Sequence, residues 1–352
     1  APAGLSPPAR FPTARSAETS FGRPGELPLQ VGIRQSEIYE PVFDKSARIA
    51  QAGAMAELPA LSLKNLQAVI LDWAGTTVDY GCRGPARVFV ESFAAYGLNV
   101  TESEAREPMG MNKLDHVAAM LAMPRIGQLW TKLHGSPPDA DAAERVYGHV
   151  QQSMLDVIAR YSIPIPGAVA GVSVMRAAGL RIGSCTGYPR PVAERMAERA
   201  ALAGFSPDCL LCATDVAKGR PAPDMCLEIL RRFGVSNPWR AVKIGDTVQD
   251  ILEGRSAGMW TIGITLTGSL VGLSEEEAAA LSPARREAAV EKAGRDLTLA
   301  GADFLAPDIP SCLPLLERID AMARRPHAWR AQKGISSLPR LCFRGHGQSI
   351  PP

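Results

Sequence analysis

The sequence has little excess charge and no long apolar run. Among its 352 residues, 38 Lys and Arg stand against 36 Asp and Glu, so the formal net charge is +2. A general nucleic-acid-binding protein carries a strong basic excess, so we expect no nucleic-acid partner. No apolar run approaches the roughly 20 residues that a membrane-spanning helix needs, so we expect no membrane partner either.

Paired cysteines are also lacking. The seven cysteines are scattered and odd in number, which favours free thiols in a reducing compartment and therefore a cytoplasmic protein. Cys209 and Cys212 form a CxxC, but residues three apart in a strand point to opposite faces. No second pair of ligands follows at zinc spacing. We therefore interpret this CxxC as part of a buried strand.

Both ends of the chain lack apolar periodicity. Residues 1–60 are rich in Pro, Gly, Ala, Ser and Arg, and residues 326–352 have no periodic pattern. Segments of this composition cannot bury enough apolar surface to fold, so we predict a disordered N-terminal arm and a disordered C-terminal tail.

Between the two ends, short apolar runs alternate with helical stretches. Each run ends in turn residues, which predicts buried parallel strands. The predicted strands are 67–73, 180–187, 209–215, 241–247 and 259–265. Alternating strands and helices predict an α/β fold with a doubly wound, Rossmann-like parallel sheet. The core domain would comprise residues 64–80 and 165–325.

The interval between the first two strands is too long for one crossover connection. Its sequence reads as helices, with a possible capping box at Thr101 and Glu104 and a long amphipathic stretch at 141–161. We therefore predict a helical cap domain at residues 81–164, inserted through two hinges near residues 80 and 165.

Polar residues follow the predicted strands at the carboxyl edge of the sheet, where doubly wound folds bind ligands. They include Asp72, Thr186, Arg220 and Asp246. A carboxylate at this edge can attack phosphorus, and Mg²⁺ prefers the hard oxygen ligands that aspartates supply. A hydroxyl and a cation can neutralise the oxygens of a transferring group. The set therefore predicts phosphoryl transfer.

These motifs, in the order Asp-x-x-Gly-Thr, Thr, Arg and Gly-Asp-x-x-x-Asp, resemble the haloacid dehalogenase superfamily. The resemblance implies that Asp72 is the nucleophile. It also implies that Mg²⁺ is held by Asp72, the backbone carbonyl of Ala74, Asp246 and Asp250. Arg220 would bind the oxygens of the transferring group.

One position departs from the superfamily pattern. Phosphatases and mutases of this superfamily have a second Asp two residues after the nucleophile, which protonates the alcohol leaving group. Here that position is Ala74. Because the general acid is missing, an ordinary phosphate ester is an unsuitable substrate. Either the protein is inactive, or its leaving group is activated in another way.

The predicted cap domain offers that activation. The segment at 109–116, MGMNKLDH, places Lys113 near a helix start and His116 three residues later on the same face. A lysine kept neutral by burial can form a Schiff base with a carbonyl substrate, and a histidine can move the proton. An iminium is an electron sink, so carbon could leave phosphorus as an enamine without a general acid.

This combination resembles the phosphonatase branch of the superfamily. The resemblance implies hydrolysis of phosphonoacetaldehyde to acetaldehyde and phosphate, with Mg²⁺ as cofactor, and a homodimer joined through the caps. Lys218 is the alternative to Arg220 as the cation for the phosphonate. The positions expected to bind the substrate or support the site are Cys82, Met109, Gly110, Tyr188, Thr247 and Lys218.

Two other functions stay open from the sequence. A 2-haloacid dehalogenase also has an Asp nucleophile and no second Asp, but it needs no metal, and the acidic pair Asp246 and Asp250 is unexplained in that case. A non-catalytic binding protein on the same fold would be expected to have lost more catalytic positions than one general acid.

Overall fold

The computed structural model describes residues 58–158 and 160–324 of the chain. Nearly all of the predicted N-terminal arm and all of the predicted tail lie outside the described residues. Within them, the core is a parallel sheet of six strands in the order β3-β2-β1-β4-β5-β6. The strands are β1 Ala68–Leu71, β2 Arg181–Thr186, β3 Cys209–Cys212, β4 Ala241–Gly245, β5 Trp260–Ile264 and β6 Phe304–Ala306.

Helices connect the strands and cover the sheet, which confirms the predicted doubly wound α/β class. The helices between β1 and β2 are α1 Arg83–Ala94, α2 Glu102–Arg106, α3 Lys113–Ala122, α4 Pro124–His134, α5 Ala140–Ile158 and α6 Ala168–Ala177. The later helices are α7 Arg190–Leu202, α8 Asp224–Arg232, α9 Val248–Ser256, α10 Glu275–Ala280, α11 Pro283–Leu299 and α12 Leu313–Met322. None of the helices in the described part of the chain combines the length and apolarity needed to cross a membrane.

The central strand β1 places the predicted nucleophile. All four of its residues are fully buried, because β2 and β4 flank it in parallel and helices cover both faces. Leu71 lies beside Ser184 of β2 and Ile244 of β4. Asp72, the next residue, therefore lies just beyond the carboxyl edge of the sheet, between the ends of two neighbouring strands.

Helices α1 to α5, here called the inserted helices, are connected to the sheet by two chain segments that lie next to each other. Val78 forms a bridge with Pro164, and the N–H of Ile165 donates to the carbonyl of Thr77 at 2.9 Å. The capping box of Thr101 and Glu104 is present at the start of α2. The division into a cap domain at 81–164 and a core domain stays a prediction.

The last helix anchors the segment that leads into β1. The carboxylate of Asp320 in α12 accepts the N–H groups of Lys64, Asn65 and Leu66 at 3.0, 2.6 and 2.8 Å. Burial raises the pKa of Asp320, but these N–H donors outweigh burial and hold it below its ordinary value. This single carboxylate therefore fixes the entry to the strand that carries Asp72.

We expect Asp320→Asn to lower the free energy of unfolding by about 1.5–3 kcal/mol, the usual worth of hydrogen bonds to a charged group. Because the native pKa is lowered, the stabilisation is present at pH 7 and is lost as the pH falls through that pKa. Urea unfolding of wild type and variant at pH 7 and at pH 3 measures both effects.

The matched control is Glu317→Gln on the same helix. Glu317 is exposed, and among the described residues it accepts only the N–H of Ser62, at 3.4 Å. An equal loss of stability in both variants, or a difference that does not shrink at low pH, would contradict the anchoring role of Asp320.

Candidate active site

The turn after β1 holds Asp72 at the edge of the sheet. The carbonyl of Trp73 accepts the N–H groups of Thr76, Thr77 and Val78 at 3.1, 2.8 and 3.1 Å. Gly75 has a φ of +88°, and a Cβ there would lie 2.5 Å from Oδ2 of Asp246. The turn therefore needs glycine so that its backbone can approach the second aspartate.

Three aspartates form a buried cluster. Asp72, Asp246 and Asp250 bring carboxylate oxygens within 4.8 Å of one another. Burial, together with the charges of Asp72 and Asp250, raises the pKa of Asp246 to about 7. Repulsion between these carboxylates, together with a ligand set of hard oxygens, fits a divalent cation. The cluster could therefore hold a metal. Whether the carbonyl of Ala74 adds a ligand stays a prediction.

Asp246 and Asp250 are held differently. Oδ1 of Asp246 accepts the hydroxyl of Thr76 at 3.0 Å, and Oδ2 accepts the N–H of Ser269 at 2.7 Å. Oδ2 of Asp250 accepts the hydroxyl of Thr247 at 2.6 Å. Its Oδ1 forms ion pairs with Arg220 and Lys243. Both oxygens of Asp250 are thus engaged by the protein, which suits a residue that orients the metal site.

The position of Arg220 differs from the prediction. Strand β3 ends at Cys212, so Arg220 does not follow this strand directly. It lies instead in the loop that leads to α8. Its long side chain reaches back beneath the edge of the sheet. There Nη2 donates to Oδ1 of Asp72 at 2.7 Å and to the carbonyl of Cys185 at 2.8 Å. Lys218, the alternative cation, is exposed.

Two charged residues behind Arg220 were missed by sequence reasoning. Lys243 of β4 and Glu253 of α9 are both fully buried. Nζ of Lys243 lies 2.7 Å from Oδ1 of Asp250, and Nε of Arg220 donates to Oε2 of Glu253 at 2.9 Å. Burial raises the pKa of Glu253 to about 8, although both cations lower it. The signal that could have revealed Lys243 was its position inside the apolar run AVKIG.

A second group of possible metal ligands lies beside this network. Cys185, Cys226 and Glu253 bring ligand atoms within 4.8 Å of one another. However, Sγ of Cys185 lies 3.3 Å from both Nζ of Lys243 and Nη2 of Arg220. Two fixed positive charges at this distance oppose a cation, so this group does not suit a metal. All six cysteines among the described residues are free.

Lys113 is a buried amine at the start of α3. Its Nζ lies 4.7 Å from the ring centre of Tyr188 and 5.6 Å from that of Phe89. Burial lowers the pKa of Lys113 to about 8, against the opposing effects of Cys82 and Asp72. The amine is therefore neutral far more often than an ordinary lysine at physiological pH. The hydroxyl of Tyr188 has no hydrogen-bond partner among the described residues.

His116 is buried one turn further along α3. Its ring stacks on Phe89 at 3.8 Å, and Nε2 lies 2.9 Å from the carbonyl of Ala105. A carbonyl only accepts, so Nε2 carries the proton and Nδ1 is the unprotonated atom. Burial and the charge of Lys113 lower the pKa of His116 well below its usual range. The predicted proton transfer would therefore have to use Nδ1.

The remaining predicted positions lie around these groups. A Cβ on Gly110 would lie 2.4 Å from the hydroxyl oxygen of Thr247, so the segment before Lys113 rests on the loop that follows Asp246. The hydroxyl of Thr186 accepts the N–H of Tyr188 at 3.3 Å. The side chains of four predicted positions are also buried, namely Cys82, Met109, Thr186 and Tyr188.

The arrangement combines two kinds of reactive group. On the sheet side, the carboxylate of Asp72, the predicted nucleophile, lies beside a guanidinium group and two further aspartates. On the side of the inserted helices lies the buried amine of Lys113, whose pKa burial lowers to about 8 although the charges of Asp72 and Asp246 raise it. Chemically, the site can attack an electrophilic centre with the carboxylate and condense a carbonyl with the amine.

Comparison with known proteins places the sequence among hydrolases. A family model described as haloacid dehalogenase-like hydrolase matches residues 66–258. The phosphonoacetaldehyde hydrolase of Nitratidesulfovibrio vulgaris is 45% identical over 260 residues, which is 74% of this chain and 93% of that protein. The phosphonoacetaldehyde hydrolase of Bacillus cereus is 41% identical over 255 residues, which is 72% of this chain and 97% of that protein.

A solved structure gives the same result for the fold. The crystal structure of a phosphonoacetaldehyde hydrolase-like protein from Oleispira antarctica has a TM-score of 0.73 and 32% sequence identity. The similarity covers 77% of this chain and 99% of that one.

The lowered pKa of Lys113 gives a pH-dependent reactivity. A brief pulse of formaldehyde with borohydride alkylates only neutral amines, so the labelling of Lys113 should follow a midpoint near pH 8. Between pH 6 and pH 8 the neutral fraction rises about fiftyfold for such a group. Mass spectrometry of the peptide that contains Lys113 measures the labelling, and Lys113→Arg supplies the blank. A midpoint above pH 10 would contradict the effect of burial.

Proposed function

Since the chain belongs to the haloacid dehalogenase-like hydrolases, and within them to the family of the phosphonoacetaldehyde hydrolases, we propose that it hydrolyses phosphonoacetaldehyde to acetaldehyde and phosphate. The resemblance predicted from the motifs is confirmed at the level of the family. The observation that carries the proposal is the buried amine of Lys113, whose pKa is lowered to about 8, together with a nucleophile whose general acid is replaced by Ala74.

The first role belongs to Lys113. Its neutral amine attacks the aldehyde carbon, water leaves, and an imine forms that becomes an iminium on protonation. Burial favours this step because it raises the fraction of neutral amine. The ring of Tyr188 faces Nζ at 4.7 Å, where an aromatic face stabilises the positive charge that develops on nitrogen.

The second role belongs to Asp72. Its carboxylate oxygen attacks phosphorus, and the C–P bond breaks with its electron pair moving into the iminium, which gives an enamine on Lys113 and an acyl phosphate on Asp72. Water then hydrolyses the acyl phosphate to phosphate. The enamine takes a proton on carbon, and hydrolysis of the resulting iminium releases acetaldehyde and restores Lys113.

Other residues stabilise charge during these steps. Arg220 holds the Asp72 carboxylate through Nη2, and with the hydroxyl of Thr186 it would neutralise the phosphonate oxygens. We propose that Asp72 and Asp246 hold Mg²⁺, with Asp250 as their support. Bound there, Mg²⁺ would supply positive charge that offsets the repulsion between the carboxylate and the phosphonate.

Assembly and location follow from the family likeness as further parts of the proposal. We place the protein in the cytoplasm, in agreement with the free state of its described cysteines. We also propose a homodimer formed through the inserted helices. Two large apolar side chains of these helices, Leu133 and Leu155, are 53% and 43% exposed, which supports a contact there.

The direct test is turnover of phosphonoacetaldehyde. The wild type should release acetaldehyde and phosphate in equal amounts, and EDTA should abolish release until Mg²⁺ is restored. A haloacid dehalogenase would instead release chloride from 2-chloropropionate without a metal. A non-catalytic protein would do neither, and either of these results would overturn the proposal.

Replacement of the amine tests the Schiff base. Lys113→Arg should lower turnover by at least about a thousandfold, because guanidinium stays protonated and cannot condense with an aldehyde. Borohydride added together with substrate should inactivate the wild type and add mass to the peptide that contains Lys113. Thermal unfolding and Mg²⁺ binding serve as controls for the fold. Labelling of a different lysine would disprove the assignment.

Restoring the missing carboxylate tests the role of Ala74. We expect Ala74→Asp to reduce C–P cleavage by at least about tenfold, because a further charge beside three buried aspartates repels the phosphonate. An enamine leaving group also gains nothing from an acid there. Ala74→Asn adds similar bulk without charge and should retain more activity. Turnover of Ala74→Asp at or above the wild-type rate would show that the missing acid is incidental.

A further inference from the structure

Arg106 is the last residue of α2 and lies outside every motif that carries the chemistry. Its guanidinium joins the inserted helices to the sheet side of the molecule. Nη1 donates to the carbonyls of Gly81 and Cys82 at 2.7 and 3.2 Å, and Nη2 donates to the carbonyl of Gly272 at 3.2 Å. The side chain is only 13% exposed, so these bonds are largely shielded from water.

The three carbonyls belong to two separate segments. Gly81 and Cys82 lie in the connection from β1 to α1, and Gly272 lies in the loop after β5. These segments also touch each other, because the N–H of Gly81 donates to the carbonyl of Thr267 at 2.7 Å. A single planar guanidinium thus holds two loops and a helix in one geometry.

The loop after β5 leads directly to the acidic cluster. Within it, the hydroxyl of Thr267 donates to the carbonyl of Gly75 in the nucleophile turn at 3.0 Å. The N–H of Ser269 donates to Asp246 at 2.7 Å, and the N–H of Gly272 donates to the carbonyl of Gly268 at 3.0 Å. On the sheet side, the contacts of Arg106 therefore continue to the residues around Asp72.

On the other side, α2 leads to the reactive amine. The carbonyl of Ala105, next to Arg106, lies 2.9 Å from Nε2 of His116, which stands on the same helix as Lys113. The N–H of Met109 donates to the carbonyl of Arg106 at 3.0 Å. The position of Arg106 thus determines where α3 and Lys113 stand relative to the sheet edge.

The required accuracy is high because one small substrate must reach both reactive groups. In phosphonoacetaldehyde a single carbon separates the phosphorus from the aldehyde carbon. Resting on the proposed function, we propose that Arg106 is a positioning residue that fixes Lys113 at the distance from Asp72 at which one substrate molecule engages both. Among the described residues, its hydrogen bonds reach none of the proposed metal ligands, and it would act through the two loops and α3.

The test compares the complete reaction with its two halves, using the full chain. The variant Arg106→Met keeps the length of the side chain but removes its donors. Its turnover of phosphonoacetaldehyde should fall about a hundredfold, the usual cost of a displacement near 1 Å between reacting groups. Labelling of Lys113 by acetaldehyde with borohydride, and Mg²⁺-dependent binding of inorganic phosphate measured by calorimetry, should both stay within threefold of wild type.

The matched control is Arg125→Met. Arg125 is also an arginine of the inserted helices, and it donates to Glu104 of α2 at 2.6 Å and to the carbonyl of Asn99 at 3.0 Å. None of its hydrogen bonds among the described residues reaches the loops around the sheet edge. Turnover of this variant should stay within threefold of wild type.

The outcomes separate the possible explanations. Turnover of Arg106→Met within threefold of wild type, or half-reactions that fall as far as turnover does, would overturn the positioning role. If Arg106→Met does not fold, Arg106→Lys, whose single ammonium cannot span both loops, must show the same selective loss. Absence of turnover in the wild type would instead contradict the proposed function, and the variants would not be needed to see it.

Discussion

The buried ion pair between Asp72 and Arg220 is the interaction on which the site depends. A carboxylate that is removed from water is costly unless a cation and hydrogen bonds compensate it. Here burial raises the pKa of Asp72, Arg220 is the strongest opposing charge, and the charge of Asp250 adds to the rise, so the pKa stays above its ordinary value. Arg220 is thus the main group that favours the ionised form of the proposed nucleophile, in a place that water scarcely reaches.

The same pair explains the layer of charge beneath it. Nε of Arg220 donates to Glu253 at 2.9 Å, so the guanidinium is held from a second side while Nη2 contacts Asp72. Lys243 then compensates Asp250 at 2.7 Å. Four carboxyl groups surround these two cations, and burial and the neighbouring acidic groups raise the pKa of Asp246 to about 7 and that of Glu253 to about 8. A divalent ion at the proposed metal site would favour the ionised form of Asp246.

The sequence predicted the position of a residue correctly where that position depends only on its neighbours in the chain. An apolar run followed by Asp identifies Asp72 and Asp246, because the strand and its turn are adjacent in the chain. It failed where partners meet only in the folded molecule. Arg220 and Asp72 are 148 residues apart, and Asp320 and Leu66 are 254 residues apart. Strand β6 was not predicted because it has only three residues, too few to show a periodic pattern of apolar side chains.

The proposed mechanism divides the chemistry between two segments, and this division determines substrate specificity. A phosphate ester without an aldehyde can approach Asp72, but it cannot form the iminium and finds no acid at Ala74 to protonate its leaving group. An aldehyde without a phosphonate can condense with Lys113, but it offers nothing for Asp72 to attack. Neither half of the site therefore completes the reaction alone, and rate enhancement arises only when one molecule uses both. Discrimination then comes from the fixed geometry between the sheet edge and the inserted helices.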